Sequence, residues 1–215
     1  MSKPIINALL ISAGYSGRMG KFKPLIKLNN KTFVSTITEK LLSVCHEVTI
    51  VTGYRNFNVE EEIRNVFHSE NNELVSRVKC LFNPDYKDGM FSSVQIGLAT
   101  MQNSDWVLFH FVDQPGLPQS FYEELVAQIE DKYDWIQPVW DMKEGHPVLF
   151  NKTIIPMVLE SPSYYRMKLI RSNEDVRKKY WISDYNLILE DIDTQDDLKK
   201  FLEEQEEVKN ITAPR

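Results

Sequence analysis

LLISAGYSGRMGKFKPL, residues 9–25, is the stretch of this chain that decides its fold. It continues an apolar run, Ile5–Ile11, into a loop with three glycines and two serines, Ser12 among them. The cations Arg18, Lys21 and Lys23 lie in or directly after this loop. A strand that leads into such a loop is typical of a phosphate site, because glycines let backbone N–H groups turn inward and cations neutralise phosphate charge. A surface turn with unrelated lysines is the alternative.

The glycine spacing disfavours the two commonest phosphate loops. Gly14, Gly17 and Gly20 give G-x-x-G-x-x-G, whereas the dinucleotide fingerprint is G-x-G-x-x-G with an acidic residue about 20 positions later. A Walker A loop requires G-x-x-x-x-G-K-[ST], but five residues separate Gly14 from Gly20 and Phe22 follows Lys21. We therefore expect a phosphate loop of a third kind.

Length and composition favour one globular domain. The chain has 215 residues, 42% hydrophobic and 26% charged, which is sufficient for a sizeable core. Its net charge of −6 argues against a nucleic-acid partner, which needs a basic face, but a few local cations suffice for a nucleotide. No stretch approaches the ~20 apolar residues of a membrane span and no signal peptide is evident, so we expect a cytoplasmic protein without a membrane partner. Cys45 and Cys80 are predicted to be free thiols.

Apolar runs alternate with amphipathic stretches. The apolar runs predict strands at Ile5–Ile11, Val48–Val51, Val78–Phe82, Trp106–Val112 and Trp135–Val139. Helical spacing predicts helices at Phe33–Cys45, Val59–Phe67, Ser92–Met101 (with Ser92 or Ser93 as N-cap) and Pro118–Glu130. The segments Pro147–Phe150, Thr153–Leu159 (helical), Leu187–Ile192 and a closing helix Asp196–Glu207 complete one domain over residues 1–207, and residues 208–215 are predicted to be a frayed tail.

This alternation predicts an α/β fold: a single Rossmann-like domain with three α/β/α layers and a mainly parallel sheet. Such sheets bind ligands at the carboxyl ends of their strands. The loops after Ile11 and after Val112 both leave predicted carboxyl ends, so we expect them to meet in one crevice.

Asp113 and Asp193 are acidic residues at the ends of predicted elements. Asp113 follows the apolar run Trp106–Val112, where a carboxylate is costly to bury unless a cation or hydrogen bonds satisfy it. Mg²⁺ is one such cation, since it usually takes one or two protein carboxylates together with substrate phosphates, and a turn Asp is the alternative. Asp193 precedes the closing helix, where Asp and Thr are ordinary N-cap residues.

Three further groups fit phosphate chemistry. Arg18 is able to bridge two phosphate oxygens bidentately. The polar segment from Asn83 through Gly89 to Ser93 leads into a predicted helix N-terminus, which suits a base edge or an anion, although a capped connection is an equal alternative. His146, in Gly-His-Pro, suits either contact with a phosphate or proton transfer.

Five segments together resemble the molybdenum cofactor cytidylyltransferase branch of the MobA-like, molybdopterin-type nucleotidyltransferase family. The glycine loop is similar to the pattern L-A-A-G-x-S-x-R-M-G-x-x-K-x-L. The other segments are NPDYKDGMFSSVQIGL (Asn83–Leu98), VDQP (Val112–Pro115), GHPVLF (Gly145–Phe150) and DIDTQDDL (Asp191–Leu198). They occur in the family's order and span nearly the whole chain.

The resemblance implies a nucleotide-diphospho-sugar transferase-like fold and Mg²⁺-dependent transfer of a nucleotidyl group from a nucleoside triphosphate to a phosphorylated acceptor, with release of pyrophosphate. In this branch the donor is CTP, the acceptor is molybdopterin, and a molybdoenzyme is the target of the product. The S-A-G loop and the D-Q-P motif lean towards CTP. Ser12 in place of Ala and Val112 in place of Gly depart from the family pattern.

The resemblance also assigns residue roles. Asp113 and Asp193, with Asp191 as the alternate, would bind Mg²⁺, Arg18 would hold the β- and γ-phosphates, and Lys23 would lie near the α-phosphate. The catalytic candidates are thus Arg18, Lys23 and Asp113. The nucleotide-binding candidates are Ser12, Ala13, Gly14, Arg18, Lys23, Asn83, Gly89, Ser92 and Ser93, and the acceptor-binding candidates are Gln114 and His146.

Three alternatives stay open. The first is a nucleotidyltransferase that acts on a sugar phosphate or an alcohol phosphate. The second is a non-catalytic cofactor carrier for molybdoenzyme maturation, which would bind without releasing pyrophosphate. The third is a nicotinamide-dependent oxidoreductase, against which the glycine spacing counts.

Overall fold

The computed structural model describes residues 3–28, 30–68 and 76–212, with side chains up to residue 204. Its strands are β1 Ile6–Ser12, β2 Lys27–Leu28, β3 Lys31–Thr32, β4 Glu47–Thr52, β5 Val78–Phe82, β6 Trp106–Phe111, β7 Trp135–Trp140, β8 Lys143–Glu144, β9 Val148–Asn151 and β10 Lys178–Ile182. Its α-helices are α1 Phe33–Val44, α2 Asn56–His68, α3 Met90–Ala99, α4 Gln119–Val126, α5 Ile154–Leu159, α6 Met167–Arg171 and α7 Gln195–Thr212. Short 3-10 turns lie at Lys23–Leu25, Tyr86–Asp88 and Asn186–Leu189.

The main sheet has the strand order β10-β7-β9-β6-β1-β4-β5, and β8 pairs with the end of β7. Strand β1 is central and pairs in parallel with β4 and β6, so that Ala8 lies opposite both Val48 and Leu108. Strand β9 runs antiparallel to its neighbours β6 and β7, while β10 is parallel to β7. The predicted mainly parallel sheet is confirmed.

Helices cover both faces of the sheet. Along β1, Leu10 packs into an apolar cluster with residues of α1, α2, α4 and α7, whereas Leu9 and Ile11 pack into a second cluster with residues of α3, α5 and α6. This division follows from the strand period of two, which sends successive side chains to opposite faces. The predicted three-layer α/β/α arrangement is confirmed.

Several element ends differ from the prediction for identifiable reasons. Helix α3 begins at Met90, so Ser92 and Ser93 lie in its first turn and neither is the N-cap; Gly89 takes that position, with φ of 112° that glycine adopts most readily. The segment Leu187–Ile192 contributes to a 3-10 turn. The pattern gave no indication of α6, β8 or β10. Helix α7 continues to Thr212, five residues past the predicted end, and the remaining tail residues, 213–215, lie outside the described part of the chain.

Candidate active site

The loop after β1 folds back on itself and brings Lys23 to the edge of the sheet. Ser16 and Gly20 adopt positive φ values of 56° and 67°, and the side chain of Met19 is fully buried beneath the loop. The hydroxyl of Ser16 accepts a hydrogen bond from the backbone N–H of Lys23 at 3.0 Å. All three loop glycines are in the described part of the chain, and of these Gly20 alone has a backbone in the left-handed region. Ser16 also has a positive φ, so the turn depends on this serine as much as on glycine.

Asp113 lies beside this loop at the point where the strand order reverses. Strand β1 is followed in space by β4 on one side and by β6 on the other. Open α/β sheets bind ligands in the crevice outside the carboxyl ends of the strands at such a point. The N–H of Val112 donates to the carbonyl of Ile11 at 3.2 Å, which keeps the two strand ends together, and Asp113 follows directly.

Asp193 reaches the same edge from the C-terminal part of the chain. The N–H of Ile192 donates to the carbonyl of Asp113 at 2.9 Å. At the start of α7, the hydroxyl of Thr194 accepts from the N–H of Asp197 at 3.2 Å, and the Asp197 carboxylate accepts from the N–H of Thr194 at 2.7 Å. This reciprocal pair satisfies the helix terminus, which leaves the Asp193 carboxylate for other partners.

Lys23 lies between two carboxylates. Its Nζ is 2.5 Å from Oδ1 of Asp193 and 3.3 Å from Oδ2 of Asp113, and Arg18 donates to the other oxygen of Asp193 at 2.6 Å. The exposed fractions are 10% for the Lys23 side chain, 26% and 28% for the Asp113 and Asp193 side chains, and 75% for that of Arg18. A buried ammonium with two partners is fixed in place, whereas an exposed guanidinium exchanges partners at little cost.

A third carboxylate adds to this cluster. Burial, reinforced by the charges of Asp113 and Asp193, raises the pKa of Asp191 to about 6 against the opposing charge of Lys23. Burial disfavours the ionised form of a carboxyl, and neighbouring negative charges add to this effect. The three carboxylates outnumber the two nearby cations, Arg18 and Lys23.

The donor set fits a hard divalent cation. Mg²⁺ prefers carboxylate oxygens and usually takes one or two of them from protein, with phosphates and water as the remaining ligands. Asp113 and Asp193, which share Lys23, could supply two such oxygens. Within the described ranges, no three His, Cys, Asp or Glu side chains converge into a complete metal-binding group by themselves.

A cavity of about 220 Å³ lies against the glycine loop. Predicted site residues that line it are Ser12, Ala13, Gly14, Lys23, Ser93 and Asp113. The hydroxyl of Ser12 is buried and has no hydrogen-bond partner among the described residues. A buried hydroxyl without a partner is costly, so this one suits a contact with a bound ligand. We refer to this space as the loop cavity.

Asn83 and Ser92 support the loop cavity from outside. The side-chain amide of Asn83 donates to the hydroxyls of Ser92 and Ser93 at 3.0 and 2.9 Å, and its carbonyl accepts from the N–H of Asp85 at 2.9 Å. These bonds fasten the turn before α3 to its first helical turn. Ser93 lines the loop cavity and Gly89 lines a second cavity, whereas Asn83 and Ser92 line neither.

The second cavity, which we call the large chamber, has a volume of about 670 Å³. It shares Met90, Phe111 and Asp113 with the loop cavity, so Asp113 lies where the two meet. Arg18 and Asp193 also border the chamber. Its size is within the roughly 300–1,000 Å³ of typical small-molecule sites.

Comparison with known proteins identifies the family. Residues 8–176 match the family described as the MobA-like NTP transferase domain. The chain belongs to this family. It is therefore a nucleotidyltransferase. The match ends before Asp191 and Asp193, so it does not include these two residues.

Three similar proteins illustrate the family. The molybdenum cofactor cytidylyltransferase of Escherichia coli K12 is 28% identical over 195 residues, which are 89% of this chain and 93% of that protein. The nicotine blue oxidoreductase of Paenarthrobacter nicotinovorans is 26% identical over 74% of this chain and 78% of that protein. A nucleotidyl transferase from Methanothermobacter has the same fold, with a TM-score of 0.76 at 18% identity over 95% of this chain and 99% of that one.

In this MobA-like transferase, His146 borders the large chamber and Gln114 does not. Burial, with a contribution from the charge of Arg171, lowers the pKa of His146 to about 4, so its ring is neutral at physiological pH. The ring lies 4.9 Å from that of Phe111. Gln114 is buried, and its amide donates to the carbonyl of Ile188 at 3.2 Å. Its side-chain carbonyl oxygen is buried and has no partner among the described residues, so the expected acceptor contact stays a prediction.

Sequence reasoning missed several residues around the chamber of the MobA-like fold. Phe109 and Phe111 lie two positions apart on β6 and both face the chamber, and the alternation within WVLFHF was a signal that predicts a shared face. Tyr164, Tyr165 and Arg166 also line it, but no local pattern marked them. Among the described residues, no helix combines the length and the apolar character needed to cross a bilayer.

Proposed function

We propose that this enzyme is a molybdenum cofactor cytidylyltransferase that transfers the cytidylyl group of CTP to the phosphate of molybdopterin. The observation that carries the proposal is the position of Lys23, Asp113 and Asp193 where the loop cavity meets the large chamber. The name of the Escherichia coli relative supports CTP and the molybdenum cofactor as substrates.

The loop cavity is the proposed nucleotide site. Ser12, Ala13, Gly14 and Ser93 would contact the base and ribose, and the buried Ser12 hydroxyl would gain a partner there. Gly89 would contribute from the chamber side, while Asn83 and Ser92 would keep the turn in place.

The cations would divide the triphosphate between them. Lys23, fixed at the junction, would lie next to the α-phosphate, where charge develops as the new bond forms. Arg18 is exposed and pairs with Asp193, so it would turn to the β- and γ-phosphates when CTP offers it a bidentate partner.

Asp113 and Asp193 would hold Mg²⁺. When bound, the ion would neutralise phosphate charge and orient the leaving group. The same carboxylates pair with Lys23 and Arg18, so the residues that would hold the ion lie next to both cations proposed for the phosphates.

The acceptor would lie in the large chamber with its phosphate towards Asp113. A phosphate oxygen of the acceptor attacks the α-phosphorus of CTP, a diphosphate bond forms, and the bond to the β-phosphate breaks to release pyrophosphate. An ionised phosphate needs no general base, which agrees with a neutral His146 that binds the acceptor and accepts no proton. The product would pass to a molybdoenzyme. We place the reaction in the cytoplasm, because Cys45 and Cys80 are free thiols, as is usual in reducing compartments.

Pyrophosphate release tests the proposal. CTP, GTP, ATP and UTP are each combined with molybdopterin, and with sugar and alcohol phosphates, in Mg²⁺ or in EDTA. We expect release with CTP, molybdopterin and Mg²⁺ together. Release with another acceptor only would replace the substrate, and nucleotide binding without any release would favour a carrier. Binding of NAD, measured in parallel, tests the alternative of a nicotinamide-dependent oxidoreductase.

Asp113→Asn is the matching variant and should lower turnover by at least about 100-fold, because the metal loses a charged ligand. Asp105→Asn is its control. Asp105 lies at the opposite end of β6 and pairs with Lys152 at 3.2 Å, so its loss should leave turnover unchanged. Near-normal activity of Asp113→Asn in Mg²⁺ would contradict the metal assignment.

A further inference from the structure

A cavity of about 160 Å³, which we call the ring slot, adjoins the large chamber. Its lining includes Phe109, Trp135, Gln137, Glu144, His146 and Arg171. The slot and the chamber share Phe109 and His146, just as the chamber and the loop cavity share Asp113. The three spaces are therefore neighbours, with Asp113 on one border of the chamber and His146 on another.

Polar side chains line part of the ring slot. The Arg171 side chain is 13% exposed, and one of its terminal nitrogens lies 2.6 Å from a carboxylate oxygen of Glu144 and donates to Oε1 of Gln137 at 2.8 Å. The indole N–H of Trp135 donates to the same Oε1 at 3.3 Å. A guanidinium has five donors and a carboxylate about four acceptor positions, so this ion pair retains capacity of both kinds for a ligand.

Aromatic rings and an ion pair form the walls of the slot. Trp135 stacks on Phe150 with ring centroids 5.3 Å apart, and Phe109 meets His146 edge to face with centroids 6.5 Å apart. Lys168 lines the slot beside the pair of Arg171 and Glu144. A ring with donors and acceptors along one edge would match both members of this pair.

The volume suits one ring of such a ligand. A cavity of about 150 Å³ in another protein accommodates benzene. At 160 Å³, the slot admits one six-membered ring, and a fused second ring would extend into the chamber.

We propose that the ring slot binds the pterin end of the acceptor, whose amide-like edge pairs with Arg171 and Glu144. This inference rests on the proposed function, since it concerns the same acceptor. In this proposal Arg171, Glu144 and Gln137 determine acceptor specificity. All three lie more than 100 residues along the chain from the glycine loop.

Steady-state kinetics of Arg171→Lys provides the first test. Lysine keeps the charge but loses the planar fork, so the KM for molybdopterin should rise about 10- to 100-fold while the KM for CTP stays unchanged. Glu144→Gln should act in the same direction. The control is Arg177→Lys, since Arg177 pairs with Asp134 at 2.6 Å but lines none of the three cavities, and both KM values should stay as in the wild type.

Titration with free pterin, which carries no phosphate, provides the second test and requires no turnover. As pterin is added, quenching of tryptophan fluorescence should saturate in the full-length wild type and in Arg177→Lys. The affinity for pterin obtained from this curve should be at least about tenfold weaker in Arg171→Lys. Equal pterin binding by Arg171→Lys and wild type, or an unchanged KM for molybdopterin with turnover intact, would overturn the inference and leave the proposed function standing. If the wild type released no pyrophosphate with molybdopterin, the proposed function would fail, and the pterin titration alone would sustain or overturn the ring slot.

Discussion

Replacement of Lys23 by methionine tests the charge cluster most directly. The Nζ of Lys23 is 2.5 Å from Asp193 and 3.3 Å from Asp113. The two carboxylate oxygens therefore lie at most about 6 Å apart, where like charges repel by about 3 kcal/mol at an effective dielectric constant of ~20. Because both carboxylates are partly exposed, water screens some of this repulsion, and we expect the variant to lose ~2 kcal/mol of unfolding free energy.

Thermal unfolding with and without Mg²⁺ measures this effect. For a chain of this length, ~2 kcal/mol corresponds to a decrease of about 4–8 °C in Tm. Mg²⁺ held by Asp113 and Asp193 would replace the missing positive charge, so the Tm of Lys23→Met should rise with Mg²⁺ more than that of the wild type. Pyrophosphate release should still fall about 100- to 1,000-fold, because a fixed charge at the α-phosphate is lost.

The matched control is Lys21→Met, in the same loop. Lys21 is exposed, so its removal should change neither Tm nor turnover. An unchanged Tm of Lys23→Met in Mg²⁺-free buffer would refute the electrostatic reasoning, and near-normal turnover would refute the catalytic role.

Two further predictions concern residues that support the site and the sheet. Lys40→Met removes hydrogen bonds of 2.8 and 2.7 Å from Nζ to the carbonyls of Pro115 and Leu117, so the loop after β6 should become more mobile. In the pyrophosphate assay, kcat should fall about tenfold with little change in the KM for CTP, because the loop positions Asp113. The hydrogen bonds from Arg177 lower the pKa of Asp134 from 3.8 to about 2, so this group stabilises the fold above pH ~4 and its contribution is lost as the pH falls towards 2. Asp134→Asn should be ~1–2 kcal/mol less stable in urea unfolding at pH 7, with a flatter pH dependence between 4 and 2; the same slope as wild type would contradict this pairing.

The sequence determined the features that depend on neighbouring residues. The apolar run Ile5–Ile11 predicted the strand that the structure has at Ile6–Ser12, and the alternation of elements predicted the mainly parallel sheet. The position of Asp113 directly after a buried strand predicted that it would stand at the carboxyl edge. These features could be predicted because strand and helix periods are local properties of the chain. The phosphate site after the strand stays a prediction.

Tertiary structure decided which side chains of these segments meet. Asn83 and Gln114 are predicted ligand contacts, and in the structure neither lines the loop cavity or the large chamber. The side-chain amide of Asn83 donates to Ser92 and Ser93, and that of Gln114 donates to the carbonyl of Ile188. Lys23 and Asp193 are 170 residues apart, and only the docking of the chain before α7 onto the Asp113 carbonyl brings them together. The ring slot likewise arises from β7, β8 and α6, because a cavity and the partners of a charge are fixed by packing between distant segments and leave no pattern in any one of them.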